Sequence, residues 1–225
     1  MNFEDKVVVI TGAGKGIGKV AAQQFSDLGA SVVLAARTTA EVESAASEIH
    51  ALGGKALALT VDISDAASIQ TAIDRVVAEY GKVDVLVNNA ATAGPAGKTV
   101  TKLVDMDVAD WDLVYGVNSR GTMLMSKACI PHIPAGGSII NLSSTAGRSG
   151  MSGRTHYCSS KASIIGFTKA LSHELGPDDI RVNCVVPGST RTELLDNLFR
   201  RMADEAGVDV ETIIKRQSAN SPQKR

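Results

Sequence analysis

Apolar and polar positions follow two recurring patterns along the chain, short apolar runs and longer amphipathic stretches. The first apolar run, Val7–Ile10, is continuous and β-branched, which predicts a strand buried on both faces. Similar runs predict further strands at Ser31–Ala35, Ala56–Val61, Val83–Val87, Ser138–Leu142 and Arg181–Val186. The amphipathic stretches between them predict helices near residues 17–28, 39–52, 66–80, 107–132, 157–175 and 191–205.

The order of these elements indicates the fold. A strand, a helix and another strand at this spacing favour right-handed crossovers, which make the strands parallel and place helices on both faces of the sheet. We therefore expect an α/β protein with a doubly wound parallel sheet of the Rossmann type. No linker, repeat or low-complexity segment divides the sequence, so residues 1–225 are expected to form a single domain.

Composition and charge narrow the classes of partner. The 225 residues are 44% apolar and 21% charged, which is typical of a soluble globular protein. Because the formal net charge is −1, nothing in the composition favours nucleic acid or an anionic membrane. The sequence has no apolar run of the roughly 18 residues that span a bilayer, and it starts without the pattern of a signal peptide.

Cysteine and histidine usage argues against a metal site. Cys129, Cys158 and Cys184 are odd in number and far apart, and the 4 histidines lack metal-ligand spacing. This pattern disfavours a disulfide framework and a zinc site, and it predicts a reducing, cytoplasmic environment.

A glycine-rich segment joins the first strand to the first helix. Residues 11–18 have the sequence Thr-Gly-Ala-Gly-Lys-Gly-Ile-Gly. Glycines let the backbone approach a pyrophosphate closely, and the helix that follows offers free N–H groups and the positive end of its dipole. A turn without a ligand is the alternative, but the place between a buried strand and a helix favours phosphate binding. The residues predicted to bind here are Gly12, Gly14, Lys15, Gly16, Ile17 and Gly18.

The end of the second strand predicts which dinucleotide is bound. Folds that bind NAD place an acidic residue there, on the ribose 2′-hydroxyl. This sequence has Arg37 instead, and the next acidic residue is Glu41. A guanidinium attracts the 2′-phosphate of NADP, and Lys15 lies within reach of the same phosphate. NADP(H) is therefore the expected cofactor and NAD(H) the alternative; solvated surface charges are the other interpretation of Arg37 and Lys15.

Tyr157 and Lys161 form a Tyr-x-x-x-Lys pair, which lies on one face of a helix. A phenol has a pKa near 10, and a nearby ammonium lowers that pKa, so the pair predicts a general acid and base. The spacing alone occurs by chance in many helices. The predicted strand Ser138–Leu142, however, ends in two further hydroxyl residues, Ser143 and Ser144.

In their order and spacing these motifs resemble the short-chain dehydrogenase/reductase family, over about residues 5–192. The resemblance implies that Ser144, thirteen residues before Tyr157, holds the substrate oxygen. It implies that Asn118 maintains a helix bend and a water that relays protons from Lys161. The resemblance also implies that Lys161 forms a hydrogen bond to the nicotinamide ribose. Family members that prefer NADP have cations at the positions of Lys15 and Arg37.

The same resemblance implies the remaining cofactor contacts. The segment Asn88-Asn89-Ala90 matches the family's Asn-Asn-Ala-Gly, except that Ala91 stands in the glycine position. Thr190 is expected to contact the nicotinamide carboxamide. For Asp62, a role at a helix N-terminus is the alternative. The cofactor contacts implied are Asp62 beside the adenine, and Ile63, Asn89, Ala90, Tyr157, Lys161, Pro187, Gly188 and Thr190.

The resemblance implies an oxidoreductase that moves a hydride between NADP(H) and a small-molecule carbonyl or secondary alcohol. A catalytically impaired dinucleotide-binding or regulatory protein of the same fold is the alternative. Enoyl reduction is disfavoured, because the family's enoyl reductases space the tyrosine and lysine more widely.

Three structural expectations follow from the same resemblance. Residues 191–217 are expected to form a lid over the substrate cleft. The helices at 107–132 and 157–175 are expected to join a homodimer or tetramer. Family members continue with a seventh strand, which this chain is expected to lack, and in that case a dimer is the largest assembly expected.

Overall fold

Six parallel strands form the sheet that the sequence predicts. The computed structural model describes residues 2–95 and 100–219, where the strands run in the order β3-β2-β1-β4-β5-β6. Every neighbouring pair is parallel, so the prediction of a doubly wound Rossmann-type sheet is confirmed. The strands are Val7–Thr11 (β1), Ser31–Ala36 (β2), Lys55–Thr60 (β3), Val85–Asn88 (β4), Ser138–Leu142 (β5) and Arg181–Val185 (β6).

This strand order creates a switch point between β1 and β4. From β1 the chain winds outward to β2 and β3, and it then returns to β4 and winds the other way to β5 and β6. The loops after β1 and β4 therefore diverge and leave a crevice at the carboxyl ends of these strands. Open α/β sheets bind their ligands in this crevice.

Helices connect the strands much as the sequence pattern predicts. The helices expected at 17–28, 39–52, 66–80 and 157–175 are confirmed, each to within two residues at its ends. In the part of the chain that the structure describes, no helix has the length and apolar character to cross a membrane. The helices up to residue 188 are α1 (Gly16–Asp27), α2 (Thr39–Ala51), α3 (Ala66–Tyr80), α4 (Val108–Tyr115), α5 (Thr122–Cys129), α6 (Ala146–Ser149) and α7 (Thr155–Leu175).

Alternate residues of each strand build two hydrophobic cores, one on each face of the sheet. Val7 and Val9 of β1 belong to the core that α3, α5 and α7 cover. Val8 and Ile10 belong to the core that α1 and α2 cover. All four side chains are at most 4% exposed, so β1 is buried on both faces, as its β-branched run predicts.

The stretch predicted as one helix, residues 107–132, is not a single regular helix. A π-helical turn, Gly116–Gly121, separates α4 from α5, and a 3₁₀ turn with Pro131 follows α5. The π turn contains Asn118, whose side chain bonds to groups outside this helix, and such contacts stabilise a local widening of the helix. The helical stretch predicted at 107–132 is therefore interrupted, and the irregularity lies where the resemblance implies a bend. Assembly through α4, α5 and α7 stays a prediction.

The chain divides into two compact units, Met1–Gly188 and Ser189–Arg225. The second contains α8 (Glu193–Ala206), which agrees with the helix predicted at 191–205, and α9 (Val210–Ser218), which was not predicted. A small apolar core of its own holds this unit together, built on Phe199, Ala203 and Ile213. The expectations of a single domain and of a lid over 191–217 stay predictions.

Candidate active site

Thr11 and Asn89 tie the carboxyl ends of β1 and β4 together at the switch point. Thr11 Oγ1 accepts hydrogen bonds from the backbone N–H groups of Asn89 and Ala90, both at 3.0 Å. The Asn89 side chain donates from Nδ2 to the carbonyl oxygens of Thr11 at 2.9 Å and Gly12 at 3.1 Å. Asn89 and Ala90, which were predicted as cofactor contacts, therefore lie directly against the start of the glycine-rich loop.

The glycine-rich loop, residues 12–18, packs closely against the ends of β1 and β4. Gly12 has a φ of 65°, and a Cβ there would come within 2.9 Å of Ala90 Cα, so only glycine fits. A Cβ at Gly18 would collide with the Gly12 carbonyl oxygen, so α1 lies close to β1. Helix α1 begins at Gly16, and within the described residues no side chain caps its first turn. Its free N–H groups and dipole fit the phosphates of a dinucleotide.

The two cations predicted to bind a 2′-phosphate are both exposed. Arg37 directly follows β2, and its positive charge helps to lower the pKa of Asp62. Lys15 lies in the glycine-rich loop, and its Nζ forms an ion pair with Glu41 Oε1 at 2.7 Å. Lys15 therefore has an anionic partner on α2, which the sequence pattern did not reveal.

Asp62 and Ile63, two of the predicted cofactor contacts, follow β3. Asp62 Oδ1 accepts hydrogen bonds from the Ser64 backbone N–H at 2.9 Å and hydroxyl at 2.7 Å. The Ser64 hydroxyl is the main reason that the pKa of Asp62 lies below its usual value, and the Arg37 charge contributes less. The Ile63 side chain is buried and lies against Gly121 of the π turn. Asp62 thus stabilises the turn before α3, whereas Asp65 is the residue that caps this helix. The contact of Asp62 with adenine stays a prediction.

The side chain of Asn118 joins the loop after β4 to helix α7. Its Oδ1 accepts from the Thr92 backbone N–H at 2.8 Å, and its Nδ2 donates to the Thr92 carbonyl at 2.9 Å. Nδ2 also donates to Ser160 Oγ at 3.0 Å, and the Asn118 side chain is fully buried. The backbone carbonyl of Asn118 accepts from the Thr122 hydroxyl at 2.8 Å. Asn118 therefore holds the π turn, the loop and α7 in one arrangement.

Lys161 is buried between α7 and the end of β5. Its Nζ donates to the Leu142 carbonyl at 2.8 Å, and the Ser143 hydroxyl donates to the Lys161 carbonyl at 2.7 Å. Ser143 is also buried, and its hydrogen bond fixes the backbone of α7, so its role is structural. These two bonds attach Lys161, the last residue of the Tyr-x-x-x-Lys segment, to the end of β5 and to the residue that follows it.

Tyr157 lies one turn before Lys161 on α7, with its phenol close enough to the Ser144 hydroxyl for that hydroxyl to lower the phenol pKa. Burial raises the pKa of the Tyr157 phenol above its usual value of 10.0, more than the Ser144 hydroxyl and the Arg154 charge lower it. The sequence-based expectation was the opposite, a pKa lowered by Lys161. The difference arises because desolvation dominates and the Lys161 ammonium is directed to the Leu142 carbonyl.

The pKa of Lys161 shifts in the opposite direction. Burial of the ammonium lowers its pKa from 10.5 to about 8, although the nearby Cys184 thiol acts to raise it. Because the side chain is 2% exposed, water provides little compensation for the charge. Lys161 therefore exchanges its proton near physiological pH, a property typical of functional sites.

The turn after β6 lies next to the segment that follows β5. The Pro187 carbonyl accepts from the Thr145 backbone N–H at 2.9 Å, and a Cβ at Gly188 would lie 4.0 Å from the Thr145 methyl group. Pro187 and Gly188 thus lie beside Ser144 in the first compact unit. Thr190 belongs to the second unit, and its contact with the nicotinamide stays a prediction.

Three residues that contact the predicted site were not predicted from the sequence: Glu41, Thr92 and Ser160. Ser160 precedes Lys161 on the helix, so its position could have suggested a role. Thr92 contributes mainly backbone groups, which no sequence motif identifies. Among the described residues, no group of three or more His, Cys, Asp or Glu could hold a metal ion.

Comparisons with known proteins agree on the family to which this chain belongs. The family model for short chain dehydrogenase matches residues 6–203. A 3-oxoacyl-(acyl-carrier-protein) reductase of Thermotoga maritima is 36% identical over 208 residues, which cover 92% of this chain and 82% of the relative.

Among the solved structures that resemble this chain, one contains NADPH and another contains NADH. The L-sorbose reductase of Gluconobacter frateurii, complexed with NADPH and L-sorbose, has a TM-score of 0.93 and 27% identity, covering 100% of this chain and 85% of that one. A 3-ketoacyl-(acyl-carrier-protein) reductase of Brucella melitensis, complexed with NADH, has a TM-score of 0.79 and 36% identity, covering 85% and 79%.

Proposed function

The chain belongs to the short-chain dehydrogenase family of oxidoreductases, and we propose that it transfers a hydride between NADP(H) and a carbonyl or secondary alcohol. In this proposal Tyr157 is the general acid and base, Ser144 holds the substrate oxygen, and Lys161 and Asn118 support them. The nicotinamide ring, when bound, supplies or accepts the hydride.

The observation that carries the proposal is the proximity of the Ser144 and Tyr157 hydroxyls beside the end of β5. Two neighbouring hydroxyls can both donate to one substrate oxygen. Such donors polarise a carbonyl and stabilise the negative charge that develops on its oxygen during hydride transfer. The pair also lies at the carboxyl end of the sheet, where open α/β folds bind ligands.

The direction of the pKa shifts favours carbonyl reduction at neutral pH. Because burial raises the pKa of Tyr157, its phenol is protonated and ready to donate. The ammonium of Lys161, whose pKa is about 8, is mainly charged at pH 7 and stabilises the phenolate after the proton has left. Asn118 positions Tyr157 and Lys161, since it holds Ser160 between them on α7.

NADP(H) is proposed because Arg37 directly follows β2 and Lys15 lies in the glycine-rich loop, and both are exposed cations of the kind that bind a 2′-phosphate. No acidic residue stands at the end of β2, where NAD-binding folds use one for the 2′-hydroxyl. The likeness to structures with NADPH supports this choice, and the likeness to one with NADH makes a direct comparison of the two cofactors necessary.

A panel of ketones, aldehydes and secondary alcohols, assayed in parallel with NADPH and NADH, tests the proposed reaction. We expect oxidation of NADPH by at least one carbonyl compound, with a higher kcat/KM for NADPH than for NADH. Tight NADPH binding without turnover of any compound would instead support the regulatory alternative.

The variant Tyr157→Phe tests the role of the phenol. We expect kcat to fall by about 10²-fold or more, because a positioned general acid contributes on this scale, while NADPH binding stays within a few-fold. Tyr80→Phe, on α3 away from this site, is the matched control and should retain full activity. Equal activity of Tyr157→Phe and the wild type would contradict the proposed mechanism.

A further inference from the structure

Glu41 carries a negative charge directly beside the glycine-rich loop. It lies in the first turn of α2, where its backbone N–H donates to the Thr38 carbonyl at 3.1 Å. A Cβ placed on Gly14 would come within 2.7 Å of Glu41 Cβ and 3.3 Å of Oε2. The Glu41 side chain therefore rests on the loop itself.

The carboxylate of Glu41 is paired with one of the two cations proposed for the 2′-phosphate. The distance from Lys15 Nζ to Glu41 Oε1 is 2.7 Å, and the Lys15 side chain is 64% exposed. A phosphate that uses Lys15 must either take this ammonium from Glu41 or share it with a carboxylate of the same sign. NADH has a hydroxyl in place of the phosphate, so its binding neither requires Lys15 nor brings a second negative charge close to Glu41.

We propose that Glu41 is a specificity-determining residue that limits the preference for NADPH, because its carboxylate competes with the 2′-phosphate for Lys15. This inference rests on the function proposed above, in which Lys15 and Arg37 hold that phosphate. Arg37 attracts the phosphate and Glu41 opposes it, so the chain discriminates less between the two cofactors than its cations alone would allow.

The chain provides a matched control for this ion pair. Lys19 on α1 and Glu48 on α2 also form an ion pair at 2.7 Å, but they lie farther along the same two helices, away from the loop. Exposed ion pairs contribute little to stability, so Glu41→Gln and Glu48→Gln should both fold normally. Thermal unfolding of both variants checks this.

The test compares dissociation constants for NADPH and NADH, measured by fluorescence titration at low ionic strength. For Glu41→Gln we expect NADPH to bind roughly three- to tenfold more tightly, with NADH changed less than twofold. Added salt should reduce the gain, because these charges are exposed. Glu48→Gln should change neither constant. An unchanged or weaker affinity of Glu41→Gln for NADPH, or an equal gain for NADH, overturns the inference.

The double variant Lys15→Met/Glu41→Gln tests the competition for Lys15 itself. If Glu41 acts through Lys15, the gain in NADPH affinity should largely disappear when it is measured against Lys15→Met. A gain that persists in full overturns the competition and assigns the effect to direct repulsion.

The wild type and Arg37→Met distinguish failure of this inference from failure of the proposed function. If the wild type prefers NADPH and Glu41→Gln gains nothing, only the inference fails. If the wild type shows no preference for NADPH and Arg37→Met does not change that, the proposed cofactor is wrong. A selective gain by Glu41→Gln would support the competition even then.

Discussion

The pKa values of Tyr157 and Lys161 move apart, because burial favours the neutral form of each group. The phenol of Tyr157 has a raised pKa, and the ammonium of Lys161 has a pKa lowered to about 8. As the pH rises, Lys161 therefore loses its proton before Tyr157 does. The positive charge that is proposed to stabilise the phenolate is thus lost while the phenol itself is still protonated.

This order of titration predicts the pH dependence of carbonyl reduction. The charged form of Lys161 exists below pH 8 and disappears as the pH rises through about 8. We therefore expect kcat/KM to be constant near neutral pH and to fall above pH 8, measured with saturating NADPH.

The variant Lys161→Arg identifies the group responsible, since a guanidinium remains charged in this range. Any activity that it retains should be independent of pH between 7 and 9.5. A wild-type profile that stays flat to pH 9.5 would contradict the role assigned to the Lys161 charge.

The sequence predicted the residues of the candidate site but not the surroundings of their side chains. Tyr157, Lys161 and Asn118 could be named because each belongs to a short motif with a fixed spacing. The direction of the Tyr157 pKa shift could not be predicted, because it depends on burial. The hydrogen-bond acceptor of Lys161 is the carbonyl of Leu142, which lies 19 residues away and carries no side-chain signal.

At the scale of elements, strands were predicted well and irregular helices were not. A β-branched run such as β1 is buried on both faces, so its limits follow from local hydrophobicity. The π turn at Gly116–Gly121 contains Asn118, whose partners lie 26 and 42 residues away in sequence, at Thr92 and Ser160. Helix α6 has only 4 residues, fewer than a helical period requires for recognition.

Helix α6 nevertheless has a defined contact with α7. A Cβ on Gly147 would come within 2.7 Å of the Lys161 carbonyl carbon and 2.8 Å of the Ala162 nitrogen. Both are backbone atoms, so they cannot move aside as the end of a flexible side chain can. The absence of a side chain at Gly147 therefore sets the distance between α6 and the helical turn that carries Lys161.

The variant Gly147→Ala is expected to lower both activity and stability. Overpacking of this kind costs about 1–3 kcal/mol, and displacement of Lys161 should reduce kcat by tenfold or more. Urea unfolding and reductase assays measure the two effects.

Gly166→Ala is the matched control, because Gly166 lies on α7 and a Cβ there meets nothing within 4 Å. An alanine at this helical position should raise stability by up to about 1 kcal/mol and leave activity unchanged. Equal behaviour of the two variants would show that the close approach of Gly147 to α7 has no consequence.

At the scale of the whole molecule, the two ends of the central strands have different tasks. The candidate active site occupies the carboxyl ends of β1, β4 and β5, whereas an ion-pair cluster lies at the amino ends of β1 and β4. Asp84, which is 3% exposed, accepts from the Val7 backbone N–H at 2.9 Å. Its carboxylate also pairs with Lys6 at 3.1 Å and Lys82 at 3.0 Å. A substitution here should therefore affect stability and leave catalysis unchanged.

The pKa of Asp84 makes this stability depend on pH. Burial alone would raise its pKa, but the hydrogen bonds from Val7, Lys82 and Lys6 outweigh burial and hold the pKa below the usual value of 3.8. A carboxylate whose pKa is lower in the folded state stabilises the fold above its unfolded pKa. That contribution is lost as the pH falls through the folded pKa.

Asp84→Asn is therefore expected to lower the free energy of unfolding by about 1–3 kcal/mol at pH 7. The difference from the wild type should shrink progressively below pH 4, where the wild-type carboxyl also becomes neutral. Urea unfolding at pH 7 and pH 3 measures both values. Asp74→Asn, which removes an exposed carboxylate on α3, should change stability by less than about 0.5 kcal/mol at either pH. A loss of stability in Asp84→Asn that is equal at both pH values would show that the carboxylate charge at the amino ends of the strands is not what stabilises them.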